Sequence, residues 1–301
     1  FRRVLFRSPV CQDAGGDTGT SHIAHVVIIL QENHSFDNHF GRWCKAPPGS
    51  SPSCNAGPAC CEAAPEKDPK GASPVVLDDE ANAGHDPDHS QKCELAEINE
   101  GKMDGFTAGV DGCSDPRNFA LAKEELIAPY HALAQKYALA DRYFQPLAGQ
   151  SSSNDMYFAV AKSVFTDNDL KPDSIGKNCS LAPKTASYEG QTTLADLLRQ
   201  AGKSITWYGE GYDVIAAAGD SCPQKPDDCA FPLNLYPCLY APGDVPFLYY
   251  AQFAKDPDFV QDYRSFRDAL GKGTLPDVAF VKPLGYHTEH PGYSTTLKIG
   301  R

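Results

Sequence analysis

Nowhere in this chain do apolar residues run for the roughly 18 positions that a membrane-spanning helix needs, so no such helix is expected. Positive charge is scarce as well. Lys and Arg number 27 against 39 Asp and Glu, a formal net charge of -12, and that sign repels phosphate backbones and anionic membrane surfaces. Nucleic acid is therefore not an expected partner. CxxC pairs are missing, and the adjacent Cys60 and Cys61 make a poor zinc-ligand geometry. The opening FRRVLFRS lacks the charged start, apolar core and small-residue cleavage site of a signal peptide. It and the closing KIGR read as cloning- or adapter-derived sequence. Residues 1–20 are accordingly expected to be a disordered or adapter-derived leader, on an internal fragment of a longer protein whose domain occupies 21–301.

What is present suits one large α/β domain with insertions: 301 residues, 41% hydrophobic, and 25 Gly with 24 Pro marking many loops. Eleven cysteines are too many for a typical reduced cytosolic enzyme. Cys44, Cys54, Cys60, Cys61, Cys93, Cys113, Cys179, Cys222, Cys229 and Cys238 lie in loop-like, Pro- and Gly-rich segments. They read as disulfide staples of a secreted or periplasmic protein. Their pairing is not legible, and the odd count leaves one without a partner inside the chain.

The chain is organised around His25 to Gly41, HVVIILQENHSFDNHFG. Five consecutive apolar residues, Val26 to Leu30, predict a strand buried on both faces of a parallel sheet. Ligands collect at the carboxyl edge of such sheets, where Glu32 and Asn33 fall and offer two hard oxygen ligands for a divalent cation. In the plain structural alternative this is a polar turn, with Ser35 or Asp37 capping a helix. A helix with one apolar stripe (Tyr130, Leu133, Ala134, Tyr137, Ala138) is expected to start after Pro129. Another is capped by Thr193 and Asp196, with Leu194, Leu197, Leu198 and Ala201 inward and Gly202 at its end. The strand SITWYGEG, an amphipathic helix marked by Phe259, Tyr263, Phe266 and Leu270, and a buried strand Val278 to Val281 complete an α/β alternation with a mostly parallel sheet. Between them, GQSSSNDMYFAVA from Gly149 has the form of an elbow that presents a hydroxyl at a helix N-terminus, where an anion is favoured. The same serines also serve as ordinary N-caps.

The stretch ENHSFDNHFG resembles the opening motif of the phosphoesterase family of bacterial phospholipases C and related acid phosphatases, Glu-Asn-(Arg/His)-Ser-Phe-Asp-(His/Asn)-x-Phe-Gly. Glu32, Asn33, Ser35, Phe36, Asp37, Phe40 and Gly41 all match. Further elements follow in order: Asp86-Pro87-Asp88-His89-Ser90, Met103-Asp104-Gly105-Phe106, the elbow from Gly149 to Asn154, and Thr288-Glu289-His290-Pro291. The resemblance spans nearly all of His22 to Ser294. It departs at the elbow, where the family usually reads Gly-Pro-Thr-x-Pro-Asn-Arg: Ser151 takes the nucleophile position, Ser153 replaces Pro and Asp155 replaces Arg. Thr288 stands in place of an Asp, and the family's last acidic motif would fall beyond Arg301, leaving the expected metal site incomplete.

The resemblance implies an alkaline-phosphatase-like fold with Cys- and Pro-rich loop insertions, and metal-dependent hydrolysis of phosphate esters, as in a phospholipase C or an acid phosphatase. By that reading Glu32, Asn33 and Ser151 hold a divalent cation (calcium, magnesium, manganese or zinc), and Ser151 is the nucleophile. His89 and His290 contact the phosphoryl group and protonate the leaving oxygen. Asn154 and Glu289 join them in binding substrate, a phosphate ester or phospholipid, while Asp86 and Asp88 shape the His89 loop. A choline headgroup would need an aromatic cage, for which Trp207, Tyr208, Tyr212, Tyr249 and Tyr250 are the candidates. Two other readings stand beside this one. The first is a non-catalytic secreted module of the same fold that binds phosphate or phospholipid. The second is a sulfatase, whose Cys/Ser-x-Pro-x-Arg setting the SSSND elbow lacks.

Overall fold

Strands and helices alternate in chain order: β1 (Val26–Ile29), α1 (Phe36–Phe40), β2 (Val75–Leu77), α2 (Asp79–Ala83), α3 (Gln91–Ile98), β3 (Ala120–Ala122), α4 (Glu124–Lys136), α5 (Ser151–Val160), α6 (Leu194–Gln200), β4 (Ile205–Gly209), α7 (Tyr212–Ala217), α8 (Ala251–Ala254), β5 (Val260–Asp262), α9 (Tyr263–Lys272) and β6 (Val278–Lys282). The structure is a computed structural model that describes residues 22–43, 64–140, 143–162, 164, 190–218, 223–224, 226–227, 238–240, 243, 245–254 and 256–292. The leader, Cys44, Cys54, Cys60, Cys61, Cys179, Cys222, Cys229 and everything after Gly292 lie outside the described residues.

Four strands form the central sheet in the order β1-β6-β4-β5, every neighbouring pair parallel. β2 and β3 make a separate parallel pair. This is the α/β class expected from the alternation. No described helix is long and apolar enough to cross a membrane.

β4 is buried at all five positions. Its Trp207 ring lies 5.1 Å from Phe280 of β6 at an interplanar angle of 11°, and Phe247 packs edge-on against both. Such aromatic pairs add about 0.5–1.5 kcal/mol each beyond the area they bury. The expected cage residues belong to this packing: Trp207, Tyr208, Tyr249 and Tyr250 are at most 3% exposed, and Tyr212 is half-buried with its ring edge-on to Tyr240. They form core, not an open headgroup pocket.

β1 departs from expectation. Among the described residues it pairs only with β6, and Val26, Val27 and Ile29 are 45%, 38% and 66% exposed. A run of apolar residues specifies a strand, but its burial depends on having a neighbour on each side. α4 departs as well. It begins at Glu124 and runs through Pro129, and its inward stripe is Ile127, Tyr130 and Ala134, with Leu133 and Tyr137 exposed. α6 carries the expected capping box of Thr193 and Asp196, yet it buries Ala195 and Leu198 while Leu194 and Leu197 face out. In α9, Phe266 is buried and Leu270 exposed, and Phe259 sits in the core just before β5.

Cys93 in the first turn of α3 is bonded to Cys113, with a Cα–Cα distance of 5.4 Å, and Cys238 is also disulfide-bonded. The Cys93 bridge pins the Met103-Asp104-Gly105-Phe106 loop to α3. Gly105 donates to the Glu97 carbonyl at 3.0 Å, and the Asn118 amide donates to Glu97 Oε1, Phe106 O and Cys113 O.

Burial pushes the Glu97 carboxyl up from its ordinary value near 4.5 to about 7, with Glu94 and Asp88 adding repulsion. The native state therefore binds the proton more tightly than the unfolded chain does. Stability from this group is full below about pH 4.5 and is lost as pH rises to about 7. Glu97→Gln cannot ionise, so it should exceed wild type in urea-unfolding stability above pH 7 by up to roughly 3 kcal/mol, with the difference vanishing near pH 4.5. A pH-independent difference would contradict this placement of the charge.

Candidate functional site

The polar stretch after β1 turns at once into α1. Ser35 accepts from the Asn38 N–H and the Asn38 side chain accepts from the Ser35 N–H, a capping box that makes Ser35 the N-cap. This turn leaves Glu32 and Asn33 at the carboxyl edge of the sheet, as the sequence predicted. α1 carries His39 inward, where it is 9% exposed.

Glu289, of the Thr-Glu-His-Pro element, joins that edge to the loop after β6. Its N–H donates to the Glu32 carbonyl at 2.9 Å. Its carboxylate accepts from His39 Nε2 at 3.0 Å and from Tyr130 OH at 2.5 Å. Burial and this carboxylate hold the Tyr130 phenol well above the ordinary tyrosine range. Glu289 is only 4% exposed, so its oxygens serve the fold. Thr288, fully buried, donates to Gly285 O and accepts from the His290 N–H.

Asn82 of α2 ties the two halves together. It is fully buried and accepts from His34 Nε2 at 2.8 Å, while the Gly292 N–H donates to its carbonyl at 2.7 Å. Burial and the neighbouring His39 push His34 down to about 4, so its ring is neutral at pH 7. Gly292 has φ 84°, and a Cβ there would lie 2.6 Å from Asp86 Cβ. Only glycine lets the His290 loop approach the His89 loop this closely.

That approach brings His89 and His290 together, their ring centroids 5.7 Å apart and edge-on. Each ring shares its Nδ1 proton with a nearby proline carbonyl, Pro87 O at 2.9 Å and Pro291 O at 2.7 Å. These bonds set each ring in the tautomer whose Nε2 is the acceptor. Asn33 Nδ2 donates to His290 Nε2 at 3.1 Å, which turns the Asn33 amide oxygen away from the ring.

The elbow docks from the other side. Gly149 adopts φ 137°, a conformation that favours glycine, and its N–H donates to Glu94 Oε2 at 2.8 Å. Glu94 sits one turn into the helix that follows His89, and it accepts from Gln145 as well. Gln91 Nε2 donates to Ala148 O at 3.2 Å. Ser151 is the first residue of α5. Asn154 donates to Gly149 O and Gln150 O and accepts from Leu147 N–H, so its amide braces the elbow.

Asp155 lies one turn beyond Ser151, on the same helix face. Lys282 closes β6 with a side chain only 7% exposed, its Nζ 3.3 Å from Glu32 Oε2 and 3.5 Å from Asp155 Oδ2. Sequence reasoning missed Lys282, Asn82, His39 and Tyr130. A lysine ending the apolar run Val278 to Val281 was the available signal for the first; the others show only in the packing.

Among the described residues no group of three or more His, Cys, Asp or Glu side chains is arranged to hold a metal ion. Glu32 and Asn33 offer hard oxygens at the sheet edge, a carboxylate and an amide oxygen, and the Glu32 carboxylate lies 3.3 Å from Lys282 Nζ. That donor chemistry suits a divalent cation.

Fold and site together define an α/β protein with a His–His–Asn cluster beside a serine-bearing helix N-terminus. The phosphoesterase family matches residues 23–298, and the chain belongs to that family. It is similar to the hemolytic phospholipase C of Pseudomonas aeruginosa, 25% identical over 93% of this chain and 39% of that protein. It is also similar to non-specific phospholipase C3 of Arabidopsis thaliana, 23% identical over 50% of this chain and 31% of that protein. The chain thus spans about a third of the length of these curated relatives.

Glu289→Ala should lower unfolding stability by roughly 2–4 kcal/mol, because it strands the His39 and Tyr130 donors in a buried site. Tyr130→Phe, which removes one hydrogen bond, should cost about 1–2 kcal/mol. Urea titration of both variants checks this, and a Glu289→Ala loss no larger than that of Tyr130→Phe would contradict the shared anchoring role.

Proposed function

We propose that the chain carries a phosphate-ester hydrolase centre of the phospholipase C or acid phosphatase type, with Ser151 as nucleophile. The observation that carries this reading is the meeting of Asn33, His89 and His290 at the carboxyl edge of β1 and β6, beside the N-terminus of α5. His89 and His290 lie edge-on, 5.7 Å apart, and the positive dipole end at the N-terminus of α5 favours an approaching anion. His89 and His290 hold the non-bridging phosphoryl oxygens, His290 exchanging its Asn33 bond for the phosphoryl contact. Ser151 Oγ, its proton released to solvent, attacks phosphorus in line with the leaving oxygen; the Oγ–P bond forms as the P–O bond to the alcohol breaks. A protonated His89 or His290 donates its proton to the departing alkoxide. Water then attacks the phosphoseryl group, releasing phosphate or a phosphomonoester and restoring the hydroxyl.

Glu32, Asn33 and Ser151 would hold a divalent cation. When bound, that cation lowers the pKa of the serine hydroxyl and offsets the charge developing on the phosphoryl group. Glu289 and Asn154 act behind these residues, Glu289 fixing the His290 loop and Asn154 fixing the elbow. Both relatives are phospholipases C, which favours a phospholipid as substrate. The disulfides at Cys93 and Cys238 support secretion or a periplasmic location.

The test is turnover of a chromogenic phosphomonoester and of a phosphorylcholine ester, with and without chelator. Wild-type turnover should be lost on chelation and restored by one divalent cation. Ser151→Ala should lower kcat by roughly 10³-fold or more, and Glu32→Ala should raise the cation concentration needed. Turnover that survives Ser151→Ala would sink the nucleophile assignment. Phosphate binding without any turnover would favour a non-catalytic binding module.

A further inference from the structure

We propose that Gln91 and Glu94, on the first turn of α3, are positioning residues that hold the Ser151 elbow in register with His89; the proposal rests on the hydrolase reading above. α3 begins at Gln91, two residues after His89, and its N-cap Ser90 accepts from the Cys93 N–H. Residues three apart on a helix share a face, and Gln91 and Glu94 direct theirs at a single peptide unit. Gln91 Nε2 donates to Ala148 O at 3.2 Å, and the Gly149 N–H donates to Glu94 Oε2 at 2.8 Å. The C=O and N–H of one trans peptide point in opposite directions. The two side chains therefore hold this plane from both edges, which fixes its orientation as well as its place.

Gly149 is buried at φ 137°, so its N–H has to meet an acceptor supplied by the protein, and a carboxylate is the stronger kind. The same Oε2 of Glu94 accepts from Gln145 Nε2 at 2.9 Å, so one oxygen gathers both donors from the approach to the elbow. The next two carbonyls, Gly149 O and Gln150 O, accept from Asn154. The backbone is thus held at successive peptides up to the residue before Ser151. The turn that does the holding is itself fastened, because Cys93 lies between the two side chains in sequence and is bonded to Cys113. His89 leads into this turn and the elbow rests on its side. One element therefore sets the distance between a phosphoryl ligand and the nucleophile. Binding of the phosphoryl group depends on the histidines and attack on it depends on Ser151, so loosening the elbow acts on the chemical step.

The test is steady-state kinetics of the whole chain on a chromogenic phosphomonoester and a phosphorylcholine ester, with each variant's fold checked by circular dichroism. Glu94→Ala should lower kcat by about 100-fold, the effect of misplacing a reacting group by about 1 Å. KM should stay within about 3-fold, because the histidines that bind the phosphoryl group are untouched. Glu94→Gln should keep most of kcat, since its amide oxygen accepts from both donors. Glu94→Asp keeps the charge but falls one methylene short of Gly149, and it should resemble Glu94→Ala. Gln91→Ala should lower kcat by about 10-fold, one hydrogen bond's worth, and it serves if Glu94→Ala fails to fold. Unchanged kcat in the folded alanine variants, or a loss confined to KM, would overturn the proposal and leave Ser151-dependent turnover as evidence for the hydrolase reading. Full activity in Glu94→Asp with loss in Glu94→Gln would overturn it as well, since charge and not placement would then be at work. A wild-type chain that turns over neither ester would overturn both.

Discussion

The site depends on the bonds made by one buried residue. Glu289 fastens its backbone to the Glu32 carbonyl and its carboxylate to His39 and Tyr130. These contacts draw together β1, α1, α4 and the loop after β6, joining residues as far apart in sequence as Glu32 and Glu289. Each such bond yields only about 1–3 kcal/mol net. Leaving any of these donors or acceptors unpaired in a buried position costs as much again, so the arrangement is self-enforcing. His290 follows Glu289 directly, so the anchor sets where the second histidine lies and how it meets Asn33. Asn82 repeats the device from α2, gripping His34 and the Gly292 backbone at once.

Charge at the sheet edge is arranged against the character of the whole. The chain carries a net charge of -12, yet a buried lysine and a pair of histidines stand at this edge. Lys282 is drawn inward by Glu32 and Asp155, and the N-terminus of α5 adds its dipole. A low-dielectric setting strengthens every one of these interactions relative to the surface. An anion attracted here pays less of the general repulsion, since exposed charges more than about 10 Å away are screened by salt.

Much of this was legible in the sequence, for reasons that can be named. The capping signals at Ser35 and Thr193 are local, depending on three residues, and both stand. The strand-helix alternation is also local, and it yielded the parallel sheet. The resemblance placed Asn33, His89 and His290, and the structure brings these into one cluster. Burial was less legible. Val26 to Ile29 have the composition of a central strand but lie at an edge among the described residues, since composition does not report neighbours. Pro129 favours a first helical turn, yet it sits inside α4, where Ile127 and Ala134 pack inward and His131 donates to His39 O. Tertiary contacts there outweigh the lost backbone hydrogen bond. Trp207, Tyr249 and Tyr250 had the chemistry of a cage and the position of a core. Lys282 was hidden because a lysine after four apolar residues reads as the place where a strand meets solvent.

The central claim is that Ser151 lies where the two histidines and Asn33 deliver a phosphoryl group. The most direct measurement is an acid quench during turnover of a phosphate ester, followed by mass spectrometry of the peptide that spans the elbow. A phosphoryl group on Ser151, absent from Ser151→Ala and depleted when the reaction runs to completion, is the predicted result. Turnover with the phosphoryl group on another residue of the chain would contradict the account.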